Sequence, residues 1–170
     1  MTESLLLAFP ALMIFAAMSD ILTMKIPNWV SVLLVAVFLV VALIVGVSFL
    51  TMLNHAGAGL LALLVGFGLF AFGLVGGGDA KLAAGIALWL GANQVLLDFL
   101  LISALAGGAL TVFLLAMRSY PLPGFALSWT WLQRLHNKAS GIPYGVALAA
   151  AALAVFPRSP MALMIMGLSQ

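Results

Sequence analysis

The sequence predicts an all-α, polytopic membrane protein with about six transmembrane helices, and three observations predict it. Of 170 residues, 66% are hydrophobic and 6% charged, whereas a soluble domain carries roughly 25% charged residues. The apolar residues fall in long runs, and a helix needs about 20 such residues to cross the hydrocarbon at roughly 1.5 Å per residue. The longest polar stretch is the segment around residues 118–142, which leaves no room for a separate soluble domain. The whole chain, 1–170, therefore reads as one membrane-embedded domain. With zero cysteines, a disulfide framework, a Cys-based zinc site and a thiol nucleophile are excluded.

Taken in order, the expected spans are 4–20, 29–50, 56–75, 80–92, 95–117 and 143–156. The first lacks a basic leader and carries Glu3 instead, so it reads as a span and not as a cleaved signal peptide. Pro27 keeps the first connection from extending that helix and presets Asn28 for a turn or for capping the second span. The second, third and fifth spans are full length. The fourth covers roughly 20 Å at helical rise, and Ala92-Asn93-Gln94 joins it tightly to the fifth. A helix this short leaves one end below the membrane surface; if that end is the N-terminal one, Asp79 is submerged. Pro143 suits the first turn of the sixth span, and Pro157 with Pro160 stops it. The apolar tail Met161–Leu168 either continues the span or lies in the interface.

Lys25, Lys81, Arg118, Arg134 and Lys138 fall in the first, third and fifth connections, on one side of the membrane, and Arg158 falls on the other. The positive-inside rule makes the first side cytoplasmic and puts both termini outside. Trp29, Trp89, Trp129 and Trp131 mostly lie near expected span ends, where indoles anchor helices at the interface. The expected location is thus the inner (cytoplasmic) membrane, in multi-pass form.

The four acids sort by depth: Glu3 and Asp98 toward the outer face, Asp20 and Asp79 at the inner face. Asp98 reads as a headgroup-level or interhelical residue. Asp79 opens a helix, where the dipole favours a carboxylate that can also cap, while Asp20 ends one, where the dipole opposes it. Ionisable groups at membrane depth mark function by default. Two carboxylates held together cannot both ionise comfortably and share a proton. The charged member takes a proton from water, the water attacks a peptide carbonyl, and the neutral member donates to the developing oxyanion. The rival use of such acids is the relay of a small proton- or ion-coupled transporter. Gly76, Gly77 and Gly78 permit close backbone approach. Beside an acid they offer free backbone to an extended peptide, or they mark a broken helix at an ion site. His55 is expected on the outer side and His136 in a cytoplasmic loop, so they do not form a metal pair. An acid dyad needs neither metal nor cofactor.

Three segments together resemble the type IV prepilin peptidases, membrane-embedded aspartyl proteases. Gly76-Gly77-Gly78-Asp79-Ala80-Lys81-Leu82 fits that family's G-x-G-D-x-K-L. Asp20 followed by Lys25-Ile26-Pro27-Asn28 is similar to its first motif, and Ile142-Pro143-Tyr144-Gly145 to the I-P-Y-G that opens its last span. The resemblance implies a six-span fold with Asp20 and Asp79 as the catalytic pair at the cytoplasmic face. It implies cleavage of the short basic leader of a prepilin, whose apolar N-terminal helix then assembles into a pilus. Larger members carry a cysteine-paired cytoplasmic segment and methylate the new N-terminus. Nothing here corresponds to that segment, so the expectation is a peptidase without methyltransferase activity, similar to the short enzymes of tight-adherence (Flp-type) pilus systems. Archaeal preflagellin peptidases share the acids.

The remaining motif residues have two readings each. Lys25 and Lys81 bracket the acids, either tuning the pair or anchoring the inner face. Pro143, Tyr144 and Gly145 either place a loop against the site, with the Tyr144 hydroxyl on substrate or an acid, or pack helices. The expected partners are a prepilin and membrane lipids, with no nucleic acid. Because five cations line the cytoplasmic connections, long-range attraction of a basic leader is not the basis of recognition. Anionic headgroups and docking of the substrate's apolar helix contribute more.

Overall fold

A computed structural model describes residues 2–124 and 128–168, with side chains from Leu6 onward, so the Glu3 side chain lies outside the described residues. The described elements are helices: α1 (Thr2–Thr23), α2 (Asn28–Val45), α3 (Phe49–Ala71), α4 (Gly77–Leu90), α5 (Gln94–Met117), α6 (Thr130–His136), α7 (Tyr144–Val155) and α8 (Pro160–Ile165). Four of them, α1, α2, α3 and α5, are long and apolar enough to cross a membrane. This is a correction to the expected six. With 14 and 12 residues, α4 and α7 fall short of the length a full crossing requires. Gly91, at φ 72°, stops α4, and Pro157 turns the chain into the 3-10 segment Phe156–Arg158 after α7. Large apolar side chains face outward along the long helices, among them Leu43 at 78% exposure and Phe49 at 79%. Patches of that extent are tolerated only against lipid or a partner.

The short helix α4 is the hub. It packs on α2, α3, α5, α7 and α8, and Leu82, Ile86, Trp89 and Leu90 on it are fully buried. Small residues allow the approach: a Cβ on Gly66 of α3 would stand 2.9 Å from Ala80 Cβ, and one on Gly85 the same distance from Leu34 Cδ1. Trp89, expected at the interface, instead centres an aromatic cluster with Phe9, Phe38 and Phe156. Its Nε1–H donates to Leu34 O at 3.0 Å, the partner a buried indole requires.

Boundaries differ most on the side opposite Asp79. The second span was expected to reach residue 50, yet α2 ends at Val45 with Gly46 in the left-handed conformation (φ 75°). Ser48 then caps α3 by accepting from Thr51 N. The turn is therefore three residues long, and His55, expected in a connection, lies buried inside α3 with Nδ1 2.7 Å from Leu88 O. The segment 118–142 contains α6, which the sequence did not announce. In the tail, α8 folds back so that Met161 and Ala162 are fully buried against the bundle.

Candidate active site

Asp20 occupies the last turn of α1. That helix stops after Thr23: the next residue, Met24, donates its N–H to Asp20 O at 2.8 Å, while its φ of 57° places a non-glycine residue in the left-handed region. A side chain there costs roughly 1–2 kcal/mol. What holds it is the next carbonyl: Lys25 O accepts from Ser19 Oγ at 2.9 Å and from Thr23 Oγ1 at 3.1 Å. The chain turns back and buries Ile26. Pro27 then precedes α2 in extended conformation, and its position makes it the N-cap residue. Asn28, a candidate cap, is instead the first residue of α2; its Oδ1 accepts from Lys81 Nζ at 2.9 Å.

Asp79 lies in the first turn of α4. Its carboxyl folds over the glycine run, so that a Cβ on Gly76 would stand 2.8 Å from Oδ2. Gly77 and Gly78 are tight as well: built Cβ atoms would meet Phe70 and Ile26 at 3.3 Å. A side chain at Gly76 would thus displace the Asp79 carboxyl, and the next two glycines let α3 and the 24–28 turn close on the start of α4.

The two acids, 59 positions apart in the chain, open into one cavity of about 290 Å³. Asp20, Met24, Lys25 and Ile26 line one wall and Gly76 to Asp79 the other. The carboxyls are close enough to interact electrostatically. Between them comes the third motif. Gly145 N donates to Asp20 Oδ2 at 2.7 Å, and the same amide faces the Asp79 carboxyl. A Cβ on Gly145 would stand 2.6 Å from Ile26 Cδ1 and 2.8 Å from Asp20 Oδ2, so a larger residue would displace one of them. Pro143 is the N-cap residue of α7, one place earlier than its expected first-turn position. Tyr144 turns away, with its hydroxyl 3.0 Å from Thr111 Oγ1 and its ring against Gly107.

The loop that leads into α7, and so to Gly145, is held from the C-terminal end of α5. Arg118 is buried and donates through Nε to Leu135 O at 2.7 Å and through Nη2 to Gly141 O at 2.8 Å. Arg134 donates to Leu22 O at 2.8 Å, placing a cation where the α1 dipole is negative. Sequence reasoning counted both arginines only as inner-face charge, gave Ile26 no role beyond its place in the first motif, and did not single out Ser19, Thr23 or Met24. A hydroxyl pair four residues apart before a basic residue was the available signal. On the other flank Asp98 pairs with Arg158 at 3.3 Å, away from the acid cavity. Among the described residues no group of three or more His, Asp or Glu side chains gathers as a metal ligand set.

No curated protein and no solved structure matches the sequence. The model of one family, described as the type IV leader peptidase family, matches residues 7–112, a span that includes both acids and the glycine run. That match covers more than half of the chain, which therefore belongs to the type IV leader peptidase family.

Proposed function

We propose that the protein is a prepilin leader peptidase in which Asp20 and Asp79 form the catalytic pair. The observation that carries this reading is the single cavity into which both acids open, within a chain whose family cleaves leaders. In the proposed reaction one carboxylate accepts a proton from a water molecule, and the water oxygen bonds to the scissile carbonyl carbon. The protonated partner donates to the carbonyl oxygen as the carbon becomes tetrahedral, and it takes that proton back when the gem-diol collapses to the carboxylic acid. Collapse breaks the C–N bond, and the proton taken from water leaves with the new amine. Gly145 N holds one oxygen of Asp20 in place, and the glycine run beside Asp79 gives the substrate strand backbone to lie against.

The proposed topology has six helices within the membrane, the four long ones crossing it and α4 and α7 reaching only part of the way, with both termini outside. At 14 residues, α4 rises about 21 Å, so an N-terminus short of the inner surface sets Asp79 at the depth where a leader meets its apolar helix. The proposed substrate is an Flp-like prepilin, and the proposed form is the short one, with proteolysis as its only activity.

The test is co-expression with candidate prepilins and a blot for the shortened product. Wild type yields mature pilin; Asp20→Asn and Asp79→Asn, inserted at normal levels, yield none. Continued cleavage by either variant refutes the pair.

A further inference from the structure

A second cavity, about 420 Å³, opens on the flank of α4. Ala84 and Gly85 form its floor, Val35 of α2 and Leu60 of α3 its walls, and it runs from Lys81 at one end to Ala56 at the other. It exists because α2 and α3 each pack on α4 but scarcely on each other. Gly59 draws α3 in, since its Cβ would stand 3.1 Å from Leu88 Cβ, and Gly85 draws in Leu34 of α2. The result is a trough between two long apolar helices, open sideways.

The trough adjoins the acid cavity along α4 and the start of α2. One hydrogen bond stands between them, from Lys81 Nζ to Asn28 Oδ1. Lys81 lines the trough while Asp79, two residues earlier on α4, lines the acid cavity; along the helix that is about 3 Å. Asn28 likewise lies between Ile26, which lines the acid cavity, and Ser31, which lines the trough.

We propose that this trough seats the apolar helix of a membrane-anchored substrate on the C-terminal side of the scissile bond, an inference that rests on the proposed function and names where its substrate docks. A peptide reaching acids that lie among apolar spans arrives by lateral diffusion. Its membrane segment must be helical, because unpaired backbone is not tolerated in hydrocarbon. The acid cavity takes the extended segment, and the Lys81–Asn28 pair marks where extended chain gives way to helix. From Lys81 to Leu88 the floor is about 10 Å long, two helical turns. The contacts therefore fall within about seven residues of the cut.

The absence of native cysteine makes disulfide mapping direct. Leu60→Cys, in an Asp79→Asn background that leaves substrate intact, is paired with single cysteines scanned along the prepilin helix. Cross-links are expected at positions spaced by three or four within the first two turns. None is expected from Phe113→Cys, on exposed α5 surface. No cross-link from Leu60→Cys, or equal cross-linking from Phe113→Cys, overturns the proposal. In the active chain Ala56→Phe is expected to slow prepilin cleavage about tenfold or more, whereas Ala104→Phe on α5 cleaves as wild type does. Wild-type cleavage by Ala56→Phe means that the trough holds lipid only and overturns the proposal. A wild-type chain that cleaves no prepilin refutes the proposed function instead; the cross-links need no cleavage and test the trough by themselves.

Discussion

Gly145→Ala adds one methyl group and tests the site at its tightest point. The new Cβ stands 2.6 Å from Ile26 Cδ1 and 2.8 Å from Asp20 Oδ2, distances at which something must move. Overpacking of this kind costs about 1–3 kcal/mol of stability. If Asp20 is what yields, its 2.7 Å bond from Gly145 N is lost as well, and a hydrogen bond to a charged group contributes about 1.5–3 kcal/mol. Carried into the barrier, that loss slows cleavage about 10- to 100-fold. The assay is kcat/KM for prepilin cleavage in proteoliposomes, beside thermal unfolding of the same preparations. Ile26→Val separates the two effects, because it removes the Cδ1 clash and leaves the Oδ2 clash. The double variant should recover most of the stability while cleavage stays slow. Wild-type kcat/KM in Gly145→Ala, or full recovery of rate in the double variant, would refute the view that this amide positions Asp20.

Arg118→Met leaves Leu135 O and Gly141 O without their donor; a stability loss of about 3 kcal/mol and slower cleavage are expected, read by thermal unfolding and by the blot. Arg118→Lys cannot fork to both carbonyls and should rescue only part of this. Trp89→Phe removes the donor to Leu34 O and leaves a gap in the aromatic cluster, for an expected loss of about 1–3 kcal/mol; unfolding at the wild-type temperature would contradict the assigned role. Met24→Gly relieves the left-handed strain and is expected to keep the turn. Stability within about 1 kcal/mol of wild type would fit that account, and collapse of the fold would count against it.

The membrane class and the two candidate acids are legible because each rests on a local property. Hydropathy marks the long helices, and a carboxylate in an apolar chain stands out whatever its partners. Helix ends were less legible where apolar residues continue through them. In Val45-Gly46-Val47-Ser48-Phe49 a hydropathy window runs on, while the physical stop is Gly46 in the left-handed region and the Ser48 cap. Trp89 misled for a related reason, since an indole near a span end reads as an anchor unless the depth of its helix is known. α4 is central, so its indole is core. In the last motif Tyr144 drew attention because its hydroxyl has chemistry to offer. The residue that touches Asp20 is Gly145, through a backbone amide that every sequence position except proline possesses. Only the tertiary approach of α7 to α1 reveals it.

Polar links, more than apolar packing, set the register of this bundle. Between helices in lipid the hydrophobic drive is weak, because the tails are as apolar as the side chains. Each approach around the acids is instead fixed by a directed bond to backbone or amide oxygen: Arg118 to Gly141 O, Arg134 to Leu22 O, Lys81 to Asn28 Oδ1, and the hydroxyls of Ser19 and Thr23 to Lys25 O. Three of the five cations counted on that face are therefore committed to structure. Their charge persists, but their donors point inward and do not compete for a carboxylate. Lys25 is by contrast exposed and lines the acid cavity. Charge counted by side gives orientation, whereas charge available to a ligand depends on which donors the fold has already used.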